Sequence, residues 1–432
     1  MHRIAEFGSV FRPRGLLGFE CSQKPSKKIS SRLTENRRRN PQVFDRNQRQ
    51  AFLYRLRSGE IFISLSKACQ MIPVRLPDPV SPSAPMPHRK VIRSWLLPVA
   101  QRSTGRALAL VLLDLILFSL AIAATVWLHN AVAKLLLGMA AGFIIGRLFI
   151  LGHDACHQSF TPHRRLNRWL GRLVFLPSLT PYSLWDAGHN VVHHGYTNLK
   201  GFDFVWHPLS LEEFRALPRW RQWLERIYRS GWGPWLYYLV EMWWQRMYFP
   251  SRKKMPTRRS VFVWDGVLVT IAALSWIAAL AAAALATGQS VWLILLAGFV
   301  TPFLFWNAMI GFVVYVHHTH TGVAWYEQKT VWAAAQPFVS TTVHLTFRYR
   351  IGALLHHIME HTAHHVDMSI PLYRLKKAQQ ILETMLPSRI VIQKFSWRWY
   401  FDTARRCKLY DFQRRCWTDF SGMPTSAPAQ AI

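Results

Sequence analysis

The sequence predicts an all-α membrane protein with four transmembrane helices, paired as two hairpins beneath a helical cap. Three observations carry this. The 432 residues are 50% hydrophobic, and the apolar ones gather into four long runs with Arg and Lys outside them. Within each pair the runs are joined by a turn too short to hold a domain. Histidines cluster just beyond the apolar runs, as His153/His157, His189/His193/His194 and His361/His364/His365.

Residues 1–95 differ from the rest of the chain. They hold Arg37-Arg38-Arg39 and Ser/Pro-rich stretches but no sustained apolar period, so a basic, disordered tail is expected. No apolar stretch succeeds the early basic residues, which argues against a signal peptide. Met86, shortly ahead of the first span, offers an alternative start of translation.

The first apolar run lies between Arg106 and His129, long enough to cross a hydrocarbon core of ~30 Å at ~1.5 Å per residue. The second runs from Val132 to Leu151, the third from Val261 to Ala286 and the fourth from Val291 to Val316. Asp114, Arg147 and Asp265 are ionisable residues inside them. Asp114 and Arg147 fall at similar depths, roughly 12 and 8 Å below one membrane face. An unpaired charge there costs ~2.5–3.5 kcal/mol, so the two are expected to pair, the alternative being that Arg147 snorkels to the headgroups and Asp114 is protonated or meets another helix.

Arg and Lys crowd the segments before the first span, between the second and third, and after the fourth. The short turns hold only Lys134. The positive-inside rule puts both termini and the long middle loop in the cytosol. An even number of crossings separates successive histidine clusters, so all three face one side. The cap is therefore expected to be cytosolic.

Leu173–Leu184 and Val331–Val343 are too short to span and read as interfacial. Between Leu211 and Phe249, Trp220, Trp223, Trp232, Trp235, Trp243 and Trp244 interleave with Arg219, Arg221, Arg226 and Arg229, as in helices lying on a bilayer. A net charge of +31 on a soluble chain would suggest nucleic acid. Between two membrane hairpins it suggests anionic lipid or an acidic partner instead. The five cysteines, Cys21, Cys69, Cys156, Cys407 and Cys416, form no CxxC and read as reduced thiols. The chain thus divides into the tail (1–95), a membrane domain (96–400) and a C-terminal tail (401–432) that ends in a disordered Ser/Pro/Ala stretch.

On a helix, positions i and i+3 or i+4 share a face, so each histidine cluster can aim its imidazoles at one point. Together the clusters offer at least eight nitrogens, too many for one tetrahedral zinc and suited to two iron ions. The cap would then hold a histidine-rich diiron site. A lone histidine is ordinarily a hydrogen-bonded residue, the reading given to His2, His88, His129, His163, His207 and His344. His317-His318-Thr319-His320 adds a further group at the end of the fourth span.

With these clusters in place, the sequence resembles the integral-membrane fatty acid desaturase family, with its three histidine boxes and non-haem diiron centre. The resemblance covers about Leu108 to Gln380. It rests on Gly152-His-Asp-Ala-Cys-His-Gln158, on Trp185 before His189, on His193-His194-Gly-Tyr-Thr-Asn198, and on His361-Thr-Ala-His-His365. Within the family it is most similar to bacterial acyl-lipid desaturases of the omega-6 type. The resemblance implies His153, His157, His189, His193, His194, His361, His364 and His365 as iron ligands, with a ninth from the end of the fourth span. His318 is chosen over His317 and His320. Asp154, Asp186, Asp203, His357, Glu360 and Asp367 are candidates for orienting the ligand rings from behind. Three residues separate His189 from His193, where many members have two.

The implied reaction is O2-dependent insertion of a cis double bond into a fatty acyl chain, at a cell inner membrane. The acyl group would ride on a lipid, CoA or a carrier protein, and the metal centre supplies the oxidising power. No His-Pro-Gly-Gly haem signature is present, so electrons would come from a separate ferredoxin or cytochrome. The alternative is a membrane diiron hydroxylase or ketolase acting on an alkane, sterol or carotenoid. A metal transporter would need ligands near the bilayer midplane, and a zinc hydrolase would leave most of these histidines unused.

Overall fold

The protein is described by a computed structural model that covers residues 60–63, 72–252, 254–255 and 257–429. Most of the expected tail, with His2, Cys21, Cys69 and Arg37–Arg39, lies outside the described residues.

Among the described residues, four helices are long and apolar enough to cross a membrane, and they fall where the apolar runs do. After helix α1 (Arg89–Leu96) come α2 (Thr104–Trp127) and α3 (Ala131–Cys156), the first hairpin. Its turn is closed by side chains. Asn130 Oδ1 accepts the Ala133 N–H at 2.9 Å, and the buried Lys134 ammonium donates to the Thr125 carbonyl at 2.7 Å, capping the end of α2. The one cation of the turn is thus taken up by the backbone.

Helix α4 (Arg164–Phe175) and the short α5 (Tyr182–Asp186) come next, and α5 runs on as a π-helical turn over Ala187–His193. Beyond it are α6 (Leu211–Ala216), α7 (Arg219–Tyr228) and α8 (Pro234–Tyr237), the last continuing as a π-helix to Tyr248. Trp220, Trp223, Trp232, Trp235 and Trp244 on this stretch are exposed, as expected of residues at headgroup depth, whereas Trp243 is buried and donates to the Leu179 carbonyl at 2.9 Å.

The second hairpin is α9 (Ser260–Ala286) and α10 (Val291–His318), the latter with a π turn at Leu296–Val300. Helix α3 is the centre of the bundle: 61% of its most apolar window is buried, against 22% for α2 and for α9. Small residues allow this. A Cβ at Gly142 of α3 would stand 2.6 Å from the Pro302 carbonyl oxygen of α10, so only glycine lets the two helices approach so closely. At ~1.5 Å per residue α3 and α10 outreach the ~30 Å core, and their final turns, with His153 and His318, emerge on one side.

The expected charge pair is present. Arg147 Nε and Nη2 lie 3.0 and 2.7 Å from Asp114 Oδ1, with both residues buried. His356 Nε2 meets the other carboxylate oxygen at 2.7 Å, and Arg147 Nη1 donates to the Leu354 carbonyl at 2.6 Å. Asp265 pairs with Arg172 of α4 at 2.8 Å and accepts the Ser183 N–H at 2.9 Å, fastening the second hairpin to the interfacial segment.

Beyond α10 lie α11 (Lys329–Ala335), α12 (Ile351–Leu354), α13 (His361–Val366), α14 (Leu372–Met385) and α15 (Trp397–Arg406). The described residues are mainly helical, with three two-stranded pairings among them. These are β1 (Glu60–Ile63) with β2 (Ile72–Arg75), antiparallel; β3 (Val343–Thr346) with β4 (Val391–Lys394), parallel; and β5 (Leu409–Asp411) with β6 (Cys416–Thr418), antiparallel.

Both expected tails need correction where they are described. Within residues 1–95, α1 packs Ile92, Trp95 and Leu96 into an apolar cluster with Leu148, Leu151, Val366 and Leu375. Ahead of it, the Val80 N–H donates to the Met385 carbonyl at 2.9 Å. An apolar face only eight residues long is too brief to stand out as a period. At the other end, residues 401–429 are packed. Cys407, Tyr410 and Trp417 join Val323, Trp325 and Val343 in one cluster, and Ala429 packs with Leu199 and Tyr326. A few aromatic anchors seated on a distant segment order this stretch, whatever its Ser/Pro/Ala composition suggests.

Candidate metal centre

All nine histidines singled out in the sequence come together, in two groups. His153, His157, His189, His194 and His364 form one, and His193, His318, His361 and His365 the other, each with ring nitrogens within 4.8 Å of one another. Helix geometry sorts them. On α13, His361 and His365 are one turn apart and share a group, with Nε2 atoms at 3.0 Å, while His364 turns to the other. The π turn does the same with one more residue. The His194 N–H bonds the His189 carbonyl at 3.0 Å, five residues back, so these two rings share one face with Nε2 atoms at 3.0 Å. His193 then falls to the other group. The unusual three-residue gap before His193 is absorbed by this wider turn.

The hydrogen bonds behind the rings decide which nitrogen faces inward. His318 Nδ1 lies 3.2 Å from the Thr341 carbonyl, which can only accept, so Nδ1 carries the hydrogen. His193 Nδ1 donates in the same way to the Asp203 carboxylate at 3.0 Å. The Thr197 hydroxyl donates to the His193 carbonyl at 2.7 Å and must therefore accept from His365 Nδ1 at 3.2 Å. Three of the four rings in this group therefore aim a bare Nε2 lone pair inward. His361 Nε2 faces two of them, at 3.1 Å from His318 and 3.0 Å from His365, and one N–H can satisfy only one. The buried Nδ1 atoms of His157, His194 and His361 have no protein partner among the described residues. A cation bound by each group would resolve the opposed lone pairs, and an all-imidazole donor set suits iron, zinc or copper. The residues therefore fit a pair of metal ions.

Electrostatics agree. Burial first, and neighbouring imidazoles second, push His157, His189, His194, His361, His364 and His365 below the ordinary histidine range, so these rings are neutral.

Of the groups expected to orient the ligand rings, Asp203 alone does so. It also accepts the Asn198 and Val205 N–H groups at 2.9 and 3.0 Å. Asp154 accepts from Ser159 Oγ at 2.6 Å and from the Leu372 N–H at 3.3 Å, tying α3 to the start of α14. Asp186 accepts from Asn190 Nδ2, and burial pushes its carboxyl up to about 6. His357 and Glu360 bond each other at 2.9 Å, and Asp367 pairs with Arg93 at 3.0 Å. Each carboxylate is near a box in sequence, but its rotamer is committed elsewhere. Thr197 and the Thr341 carbonyl, which hold His365 and His318, are absent from the sequence-based candidates. Thr197 lies inside the second box and could have been suspected, whereas a carbonyl has no sequence signal. Trp185 stacks on His189 at 4.1 Å. Of the two other histidines in the run at the end of α10, His317 stacks on His361 at 3.7 Å without joining a group, and His320 bonds the Gly322 N–H at 3.0 Å.

Against both groups lies a cavity of about 840 Å³, its open mouth included. His153, His189, His193, His318 and His361 line one part of it. Apolar side chains such as Phe149, Tyr238, Met242, Met247 and Val313 line most of the rest, and Arg246 and Lys254 also contribute.

Fold and site together are those of an integral membrane protein with two histidine groups that could each hold a metal ion. The fatty acid desaturase family profile matches residues 125–397, which contain all three boxes. Among curated proteins the chain is similar to the sn-1 oleoyl-lipid 12-desaturase of Synechocystis sp., at 29% identity over 61% of this chain and 72% of that one. It is 28% identical to the chloroplastic omega-6 fatty acid desaturase of Brassica napus over 62% of this chain, but that match spans only 58% of the plant protein. The sn-1 acyl-lipid omega-3 desaturase (ferredoxin) of Synechocystis is 25% identical over 72% of this chain and 84% of its own length. The chain belongs to the fatty acid desaturase family, and is an oxidoreductase of that kind.

Proposed function

We propose that the protein inserts a cis double bond into the acyl chain of a membrane lipid, using O2 and two electrons from an external ferredoxin or cytochrome. The nine clustered histidines would be the ligands of two iron ions. The observation that carries this reading is the apolar cavity running up against both histidine groups, since an unactivated methylene must be held in a dry, shaped space beside the oxidant. The bound iron pair would supply the oxidising power for C–H cleavage. The chain's own residues do the positioning. Met242, Met247, Tyr238 and Val313 hold the acyl chain and exclude water. Arg246 is suited to an anionic or ester headgroup, while Lys254 is paired with Glu241 at 3.2 Å. Asp203, Thr197 and the Thr341 carbonyl keep three imidazoles in the ligating tautomer.

The similarity to oleoyl-lipid 12-desaturases and omega-6 desaturases favours an acyl-lipid substrate with the new bond at the omega-6 position. The ferredoxin in the omega-3 relative's name favours ferredoxin as donor. The Lys/Arg asymmetry of the loops supports an inner-membrane orientation with both termini and the histidine centre in the cytosol. The test is expression in a host rich in saturated and monounsaturated lipid, with the new double bond located by mass spectrometry. His157→Ala, His193→Ala and His364→Ala should each insert normally and make no product. Wild-type activity in any of the three would refute the ligand assignment, and a hydroxylated or keto product would refute the reaction.

A further inference from the structure

The two histidine groups have a second access, unlike the first. Beside them lies a basin of about 1130 Å³, mouth included, lined by His194 and His365 and, among others, by Arg89, Lys90, Arg93 and Trp332. Each group therefore contributes one ring to the basin, and those two rings stack at 4.2 Å. Other members of both groups face the acyl cavity. The basin is wired to the site by hydrogen bonds. Trp332 Nε1 donates to the Thr197 carbonyl at 2.9 Å, and the Thr197 hydroxyl meets His365 Nδ1 at 3.2 Å. Arg89 Nη2 donates to the His365 carbonyl at 2.7 Å. Lys90 is exposed and forms no ion pair among the described residues.

We propose that this basin is the docking site of the electron donor, a small acidic protein that carries one electron at a time. The proposal rests on the desaturase reading above and adds the side from which electrons enter. Per turnover two C–H bonds break and one C=C bond forms, while O2 takes up two electrons and two protons beyond those of the substrate and leaves as two waters. The donor supplies those two electrons in successive one-electron visits, being oxidised at each. Entry from this basin leaves the acyl cavity free for substrate during both visits. The uncompensated charge of Lys90 and the partly offset charges of Arg89 and Arg93 attract an acidic surface, and Trp332 offers it a flat contact one hydrogen-bonded step from Thr197.

The test uses the full chain in nanodiscs of phosphatidylcholine, which removes anionic lipid as a competing occupant, and an acidic [2Fe–2S] ferredoxin as probe. Lys90→Glu should raise the ferredoxin Kd by roughly fivefold or more at low salt, and the difference should shrink at high salt as screening sets in. Arg398→Glu makes the same charge change on an exposed residue outside the basin and should shift Kd by less than about twofold. Equal shifts in both variants, no shift in either, or no ferredoxin binding by the wild type would overturn the proposal. Product formation is then driven in parallel by ferredoxin and by a small-molecule reductant. Lys90→Glu should lose turnover with the first and keep it with the second. A wild type that makes no double bond from either source sinks the desaturase reading, and the Kd values still judge the docking surface by themselves.

Discussion

Asp114 binds Arg147 with one carboxylate oxygen and His356 with the other, and all three are buried. Removing one partner of such a pair strands the other, at a cost of ~3–5 kcal/mol, whereas replacing both by apolar groups is often neutral. Asp114→Asn should therefore lower the thermal midpoint in detergent, and Asp114→Asn with Arg147→Met should recover most of the loss. A mild single variant would mean that the Leu354 carbonyl and the headgroups suffice for Arg147. Asp203 acts differently, through the tautomer and direction of His193. Lost partners of this kind cost about 10–100-fold in metal affinity. Asp203→Ala should empty the four-histidine group under mild chelation and leave the five-histidine group loaded, a difference that metal analysis will read. Equal loss from both groups would mean that Asp203 supports the whole cap and not one ring.

At the scale of elements, a π turn with histidines at i, i+4 and i+5 sorts its rings as an α turn does with i, i+3 and i+4. In both, the outer two share a group and the middle one goes to the other, as His189/His194 and His361/His365 illustrate. Deleting the exposed Val191 should let the segment close as an α turn with the sorting preserved. Metal content should then stay close to that of the wild type. Its collapse would show that the wider turn is needed in its own right, for instance to keep Trp185 stacked on His189.

For the whole molecule, the segment before the first span closes the cap. Arg89 bonds the His365 and Val366 carbonyls, and Arg93 pairs with Asp367, so α1 fastens the helix that carries the third box. A chain beginning at Met86 keeps these contacts and should retain activity. Among the described bonds it loses the one from Val80 to Met385 and those from Arg389 to the Ser81, Pro82 and Ala84 carbonyls. A chain beginning at Gln101 lacks α1 and should insert yet bind little metal, as metal analysis of the purified protein would show. Normal metal content there would reduce α1 to a wall of the basin.

The spans, their pairing into hairpins and the eight box histidines were legible in the sequence because each rests on local physics, whereas His318 was singled out only through the family resemblance. Apolar length must match the bilayer, an even number of crossings returns every cluster to one face, and helical spacing aligns imidazoles. The Asp114–Arg147 pair was legible for a related reason: two charges at one depth in hydrocarbon are costly to keep apart. The tertiary structure decided what depends on residues far apart in the chain. It made His356 the third member of that pair, left Asp203 alone among the candidate carboxylates behind a ligand ring, and divided the histidines into groups of five and four. It also ordered α1 and the C-terminal hairpin, and put an apolar cavity and a basin with Arg89, Lys90 and Arg93 against different histidines of the centre. A carboxylate's partner and a cavity's walls are set by side chains packed from distant segments, and neither periodicity nor spacing records which segments meet.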